Sequence, residues 1–208
     1  MLINNDGVPD VVRLDAAAVK VSAELVSRIT DADLARPTPC AGWTLADLLA
    51  HMTSQHRGFA AAAAGDGSDP RHWADKPAAP ADYVSAAAKV QEAFAGAGVL
   101  DQEFCVLPIS ATMTFPARQA IGFHLVDYVT HGWDVARSLG QPYELPQDVL
   151  DLALRVAIAV PDGEARRAPD ASFAPRVPGY DGAATLDRIV ALLGRRPSWP
   201  ALPWRHAG

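Results

Sequence analysis

Apolar residues at Ala18, Val21, Leu25 and Ile29 recur every three or four positions with polar residues between them, which predicts a first helix from about Leu14 to Ile29. The segment Arg36-Pro37-Thr38-Pro39-Cys40-Ala41-Gly42-Trp43 ends that pattern, because two prolines break helix and Gly42 permits unusual dihedrals. Thr44 is placed to cap a second helix with Asp47 in its first turn. Its apolar stripe, Leu45, Leu48, Met52 and Phe59, reaches roughly Ala64, and His51 and Gln55 border that stripe. Gly65 to Pro80 is polar and rich in Gly, Pro and Asp, a length of loop that often serves as a lid. An Ala-rich third helix follows from Asp82 to about Ala95, ended by Gly96 and Gly98.

Between Glu103 and Phe115 the composition becomes strand-like around a central turn, which predicts a short hairpin insertion. Pro116 suits the first position of a helix, and no breaker appears until Gly140, so this is the longest helix of the chain. A further helix is expected from about Gln147 to Val160 and a shorter one from Thr185 to Leu193, with irregular chain from Glu164 to Gly182. There is no internal repeat and no heptad run. The pattern predicts an all-α fold: an up-and-down four-helix bundle over residues 1–160, with residues 161–208 as a C-terminal extension packed on it.

The 208 residues fit one domain with an appended segment, and with half of them apolar and a fifth charged the chain can bury a proper core. A net charge of −6, with 18 basic residues scattered along the chain, argues against nucleic acid as a partner. The dense basic pairs Arg166-Arg167 and Arg195-Arg196 sit in loop-like contexts and read as solvated surface. The N-terminal sequence lacks the basic start and apolar core of a signal peptide, and no apolar run approaches the roughly 20 residues that span a bilayer, so a cytoplasmic protein without a membrane partner is expected. Cys40 and Cys105 form no CxxC pair and read as ordinary thiols.

Candidate chemistry gathers on the longest helix. His124, Asp127 and His131 fall within about 60° of one helix face. Asp127 and His131, one turn apart, can bring a carboxylate oxygen and an imidazole nitrogen to one ion, although the same pair can be a plain intrahelical ion pair worth a few tenths of a kcal/mol. His51, at the edge of the apolar stripe of another helix, is the candidate third ligand. A His/His/carboxylate set suits zinc, nickel or another first-row divalent ion and leaves a coordination position for water or substrate. His124, on the same face, is a candidate catalytic acid/base or supporting residue, with a buried, backbone-bonded histidine as the alternative. Trp133, Asp134 and Arg137, which follow His131, read first as locking the helix against its neighbours, with orientation of a ligand as a second role for Asp134.

Three segments carry a resemblance. Thr38-Pro39-Cys40-Ala41-Gly42-Trp43-Thr44-Leu45-Ala46-Asp47-Leu48-Leu49-Ala50-His51 looks like a Pro-Cys-x-x-Trp-Thr-x-x-Asp-Leu-x-x-His opening. His131-Gly132-Trp133-Asp134-Val135-Ala136-Arg137-Ser138-Leu139-Gly140 looks like a His-Gly-Trp-Asp-Leu-Ala-Arg-Ala-x-Gly signature. Gly194-Arg195-Arg196-Pro197-Ser198-Trp199 looks like a Gly-Arg-x-Pro-x-Trp ending. Together they resemble the DinB/YfiT-like metal-binding proteins, in the branch of the mycothiol-dependent maleylpyruvate isomerase metal-binding domain. The resemblance implies a four-helix bundle whose metal ligands here are His51, Asp127 and His131. It also implies a low-molecular-weight thiol such as mycothiol as cofactor or co-substrate. The family's acidic ligand is commonly Glu, and the shorter Asp127 departs from it.

An enzyme of this kind would hold an incoming thiol as a thiolate on the metal and direct it at a small electrophilic substrate, as an isomerase or S-transferase. The Gly65–Pro80 loop and the C-terminal segment would form the walls. The competing reading is a noncatalytic metal- or ligand-binding bundle that acts by dimerising or by sequestering a small molecule. A homodimer is compatible with both.

Overall fold

The computed structural model describes residues 10–168 and 171–200. Asp10 accepts a hydrogen bond from the Arg13 amide and so starts α1 (Val11–Val26) three residues earlier than the apolar spacing alone suggests. Thr44 and Asp47 form a reciprocal capping box that starts α2 (Leu45–Ala63). Pro80 occupies the first turn of α3 (Pro80–Phe94). Pro116 lies just before α4 (Ala117–Leu139) and not within it, and Gly140, at φ 66°, ends that helix in the left-handed conformation that a side chain disfavours. A two-stranded antiparallel hairpin, β1 (Glu103–Cys105) and β2 (Thr114–Pro116), joins α3 to α4 with Phe104 opposite Phe115. The last two helices are α5 (Gln147–Ala159) and α6 (Thr185–Leu192).

The helical class is as expected, but the path through the bundle does not alternate strictly. Leu25 and Val26 of α1, Leu45 and Leu48 of α2, Tyr83 of α3 and Val135 of α4 share one core cluster. Val11, Phe59, Phe94 and Ala117, from the opposite ends of the same helices, share another. α1 and α4 therefore run one way, and α2 and α3 the other. α1 and α2 each pack against α3 and α4, so these two consecutive helices face each other across the diagonal. The up-and-down expectation is corrected on this point. The polar segment 64–79 is not a turn at the end of α2: it returns the chain along the bundle, over the roughly 28 Å of a helix of 19 residues, before α3 begins.

That return segment is held down. The Trp73 ring lies where a Cβ on Gly58 would sit, 2.2 Å from the nearest ring atom, and the indole N–H donates to the Gly67 carbonyl at 2.8 Å. Gly58 is thus required for the close approach of segment and helix, which docks the segment on α2 in this structure.

α5 and α6 cover the outer face of α1 and α4, where Leu14, Leu125, Val129, Val149, Ala153 and Ile189 form a third cluster. Complete burial of each large apolar side chain in these clusters is worth about 1.5–3 kcal/mol. The reading of the two arginine pairs as solvated surface holds for Arg167 and Arg196, which are exposed, and is corrected for the first member of each pair. Arg166 is buried and donates to the carbonyls of Pro161, Leu192, Ala174 and Val160, while Arg195 is buried against α4. In both cases a guanidinium with five donors gathers buried acceptors, carbonyls for Arg166 and the Asp134 carboxylate of α4 for Arg195.

Candidate metal centre

His51 on α2 and Asp127 and His131 on α4 converge near the end of the bundle where α2 begins. One ligand atom from each lies within 4.8 Å of the other two. Nε2 of His131 is 3.4 Å from Oδ1 of Asp127, and the rings of His51 and His131 stand edge to face with centroids 5.3 Å apart. Oδ2 of Asp127 is buried and has no hydrogen-bond partner among the described residues. An unpaired buried carboxylate oxygen costs free energy unless something positive or protic meets it, and a divalent cation between these three side chains would do so. The residues present therefore fit such an ion.

Each histidine is held by a carboxylate behind it. Nδ1 of His131 lies 3.0 Å from Oδ2 of Asp134. A carboxylate only accepts, so the proton sits on Nδ1 and Nε2 presents its lone pair to the cluster. Nδ1 of His51 faces Oδ2 of Asp75 at 3.5 Å, and Asp75 is itself fixed by the Ser54 hydroxyl at 2.5 Å. Burial alone would lower the pKa of His51, but hydrogen bonding to Asp75 and the charges of Asp127 and Asp75 outweigh it and raise it. The return segment thus supplies a functional partner, Asp75, that the sequence did not single out.

Asp134 is fully buried, and Arg195, arriving from beyond α6, lies 3.2 Å from its Oδ2. Burial works to raise the pKa of Asp134, yet the Arg195 charge and the His131 hydrogen bond bring it below the usual carboxylate range. The same oxygen accepts from the Cys40 thiol at 3.2 Å, and Arg195 also donates to Cys40 Sγ at 3.2 Å. Burial first, and the Asp134 charge second, push the Cys40 thiol up to about 12, so it stays protonated at neutral pH and is no nucleophile there.

Local turns make this convergence possible. Thr38 and Trp43 pair across the Pro39–Gly42 turn, with Gly42 at φ 83°, which sets Cys40 beside Asp134 and the Trp43 ring 5.0 Å from that of His51. Gly194, at φ 83° and closely packed on Ala174, turns the chain so that Arg195 points inward. Arg137 then donates to the Pro197 carbonyl, tying the C-terminal motif to α4.

His124 is not brought into the cluster. It is fully buried, with Nδ1 2.7 Å from Oδ1 of Asp15 and Nε2 3.1 Å from Nδ1 of His56, and His56 stacks on Tyr128 with centroids 3.9 Å apart. Both ring nitrogens are committed to side chains of the interior. His56, on α2 in the wrong helical phase for the cluster, gave no signal in the sequence.

Taken together, the fold and the cluster define a DinB-like helical bundle with a histidine–carboxylate site near one end. The chain belongs to the mycothiol maleylpyruvate isomerase N-terminal domain family, which residues 16–136 match, a span that includes His51, Asp127, His131 and Asp134. Two uncharacterized proteins of Mycobacterium tuberculosis, from different strains, are each 30% identical to it over 181 residues, covering 83% of this chain and 91% of theirs. Among solved structures, a mycothiol-dependent maleylpyruvate isomerase superposes with a TM-score of 0.56 at 16% identity, over 76% of this chain and 71% of that one. A histidine-to-alanine variant of such an isomerase gives the same TM-score at 15% identity. At these identities the superpositions show the shared fold. No described helix is long and apolar enough to cross a membrane.

Proposed function

We propose that the chain is a divalent-metal-dependent, thiol-using enzyme of the isomerase or S-transferase type, acting on a small electrophilic molecule, with His51, Asp127 and His131 as the metal ligands. The observation that carries this reading is the convergence of those three side chains around a buried carboxylate oxygen that has no partner among the described residues. A bound zinc, nickel or similar ion would supply an open position for a thiol such as mycothiol and favour its thiolate form at neutral pH. The protein's own residues do the rest. Asp134 and Asp75 fix the proton-bearing nitrogen of each histidine, and Arg195 holds Asp134 ionised. Trp43 and the return segment 64–79 flank His51 and form walls that select the substrate. His124 stands outside this reading as a proton carrier, because both of its nitrogens are bonded within the core.

Cobalt-reconstituted protein titrated with a low-molecular-weight thiol tests the reading. Saturable appearance of a sulfur-to-cobalt charge-transfer band, lost in Asp127→Ala, is the expected result. Cobalt uptake with no spectral response to any thiol would overturn the thiol chemistry and leave a metal-binding bundle.

A further inference from the structure

The basic residues look scattered along the chain, but the fold gathers several of them. Arg57 of α2, Arg71, His72 and Lys76 of the return segment, and Lys89 of α3 line one open groove of about 490 Å³ whose floor is alanine side chains from α2 and α3. The groove is a different place from the histidine cluster: at 100° per residue, Arg57 projects about 120° round α2 from His51. Asp69 pairs with Arg71, and Asp66 lies 2.8 Å from His72. Arg57, Lys76 and Lys89 have no ion-pair or hydrogen-bond partner among the described residues.

We propose that this groove binds a small polyanionic metabolite, a phosphate ester or a polycarboxylate. Four full positive charges face two carboxylates around one concavity, on a chain whose net charge is −6, so the excess is local and not a property of the whole surface. A concave, low-dielectric wall focuses that field on whatever enters. The alanine floor leaves room for a ligand to lie against α2 and α3, and the volume falls within the roughly 300–1,000 Å³ of small-molecule sites, too small for a polymer. Unpaired lysine and arginine heads on long stems can close around phosphate or carboxylate oxygens with charge-assisted hydrogen bonds. The return segment separates the groove from the metal centre: Asp75 reaches His51, and the next residue, Lys76, faces the groove.

Calorimetric titration of the full chain with inorganic pyrophosphate and, separately, with tricarballylate, at constant ionic strength, tests the assignment. Saturable 1:1 binding of either probe is expected, weakened about tenfold or more in Arg57→Ala/Lys89→Ala and unchanged in Lys20→Ala. Preference for pyrophosphate assigns phosphate esters, and preference for tricarballylate assigns polycarboxylates. Both replaced side chains lie on helices and are exposed, so the double variant keeps its circular dichroism. Binding must persist in His51→Ala, which removes a ligand of the metal centre and leaves the groove intact. Loss of binding in His51→Ala, equal binding in the double variant, or no saturable binding of either probe would each overturn the proposal.

Discussion

Replacing Arg195 with alanine is expected to lower the free energy of unfolding by about 3–5 kcal/mol, the cost of stranding a buried charge. Asp134 has no exposed surface, its Oδ2 accepts from Arg195, His131 and Cys40, and its Oδ1 has no partner among the described residues. Without the guanidinium the carboxylate has no full positive charge beside it, and burial drives its pKa back up. The His131 ring then loses the acceptor that fixes its tautomer. Urea unfolding of Arg195→Ala beside the parent measures the effect. In the paired variant Arg195→Met/Asp134→Leu, where the charge is removed together with its partner, the loss should be smaller than in Arg195→Ala alone. A loss below about 1 kcal/mol in Arg195→Ala would mean that Asp134 does not depend on this ion pair.

Acid is expected to destabilise the protein through His56 well above the pH at which carboxylates titrate. Burial, and then the neighbouring His124, hold the His56 pKa well below its usual value near 6.5. The native state therefore keeps His56 neutral while the unfolded chain takes up a proton. Stability from this residue is complete above its unfolded pKa near 6.5 and is lost progressively as pH falls below that, until the lowered folded pKa is reached. Asp15 acts in the opposite sense. Its pKa is raised by burial, against the pull of His124, so its contribution declines as pH rises from about 3.8 through the raised value. Comparing the parent with His56→Phe separates the two, since phenylalanine keeps the stack on Tyr128 and cannot titrate. Between pH 7 and pH 5 the parent should lose more stability than the variant, and parallel stability curves would contradict the assignment.

The sequence shows those parts of the molecule that repeat or sit close together along the chain. Helical spacing placed α1 to α6, and the Thr44/Asp47 pair marked the start of α2, because caps and apolar stripes are local. Asp127 and His131 share a helix face, so their proximity follows from a spacing of four. His51 is singled out by its place at the edge of the α2 apolar stripe and by the motif that precedes it. What the sequence hid depends on tertiary packing. The direction of α3 is set by a return segment whose docking rests on Trp73 meeting Gly58. Arg166 and Arg195 carry the charge of surface residues and are buried because Arg166 meets carbonyls of α6 and of the irregular chain beside it, and Arg195 meets the Asp134 carboxylate of α4. Asp75 and Arg195 lie 24 residues after His51 and 64 after His131 in number, and no spacing rule links them. His124 has the right helical phase and the wrong neighbours: Asp15 and His56, contributed by α1 and α2, take both of its nitrogens.

The central claim is that His51, Asp127 and His131 hold one divalent ion. Elemental analysis of the purified, untagged protein beside His51→Ala and Asp127→Ala tests it most directly. About one equivalent of zinc, nickel or a similar ion is expected in the parent and little in either variant, with most helicity retained because the core clusters of the bundle do not include the ligands. Parent protein that is metal-free and cannot be reconstituted would contradict the account.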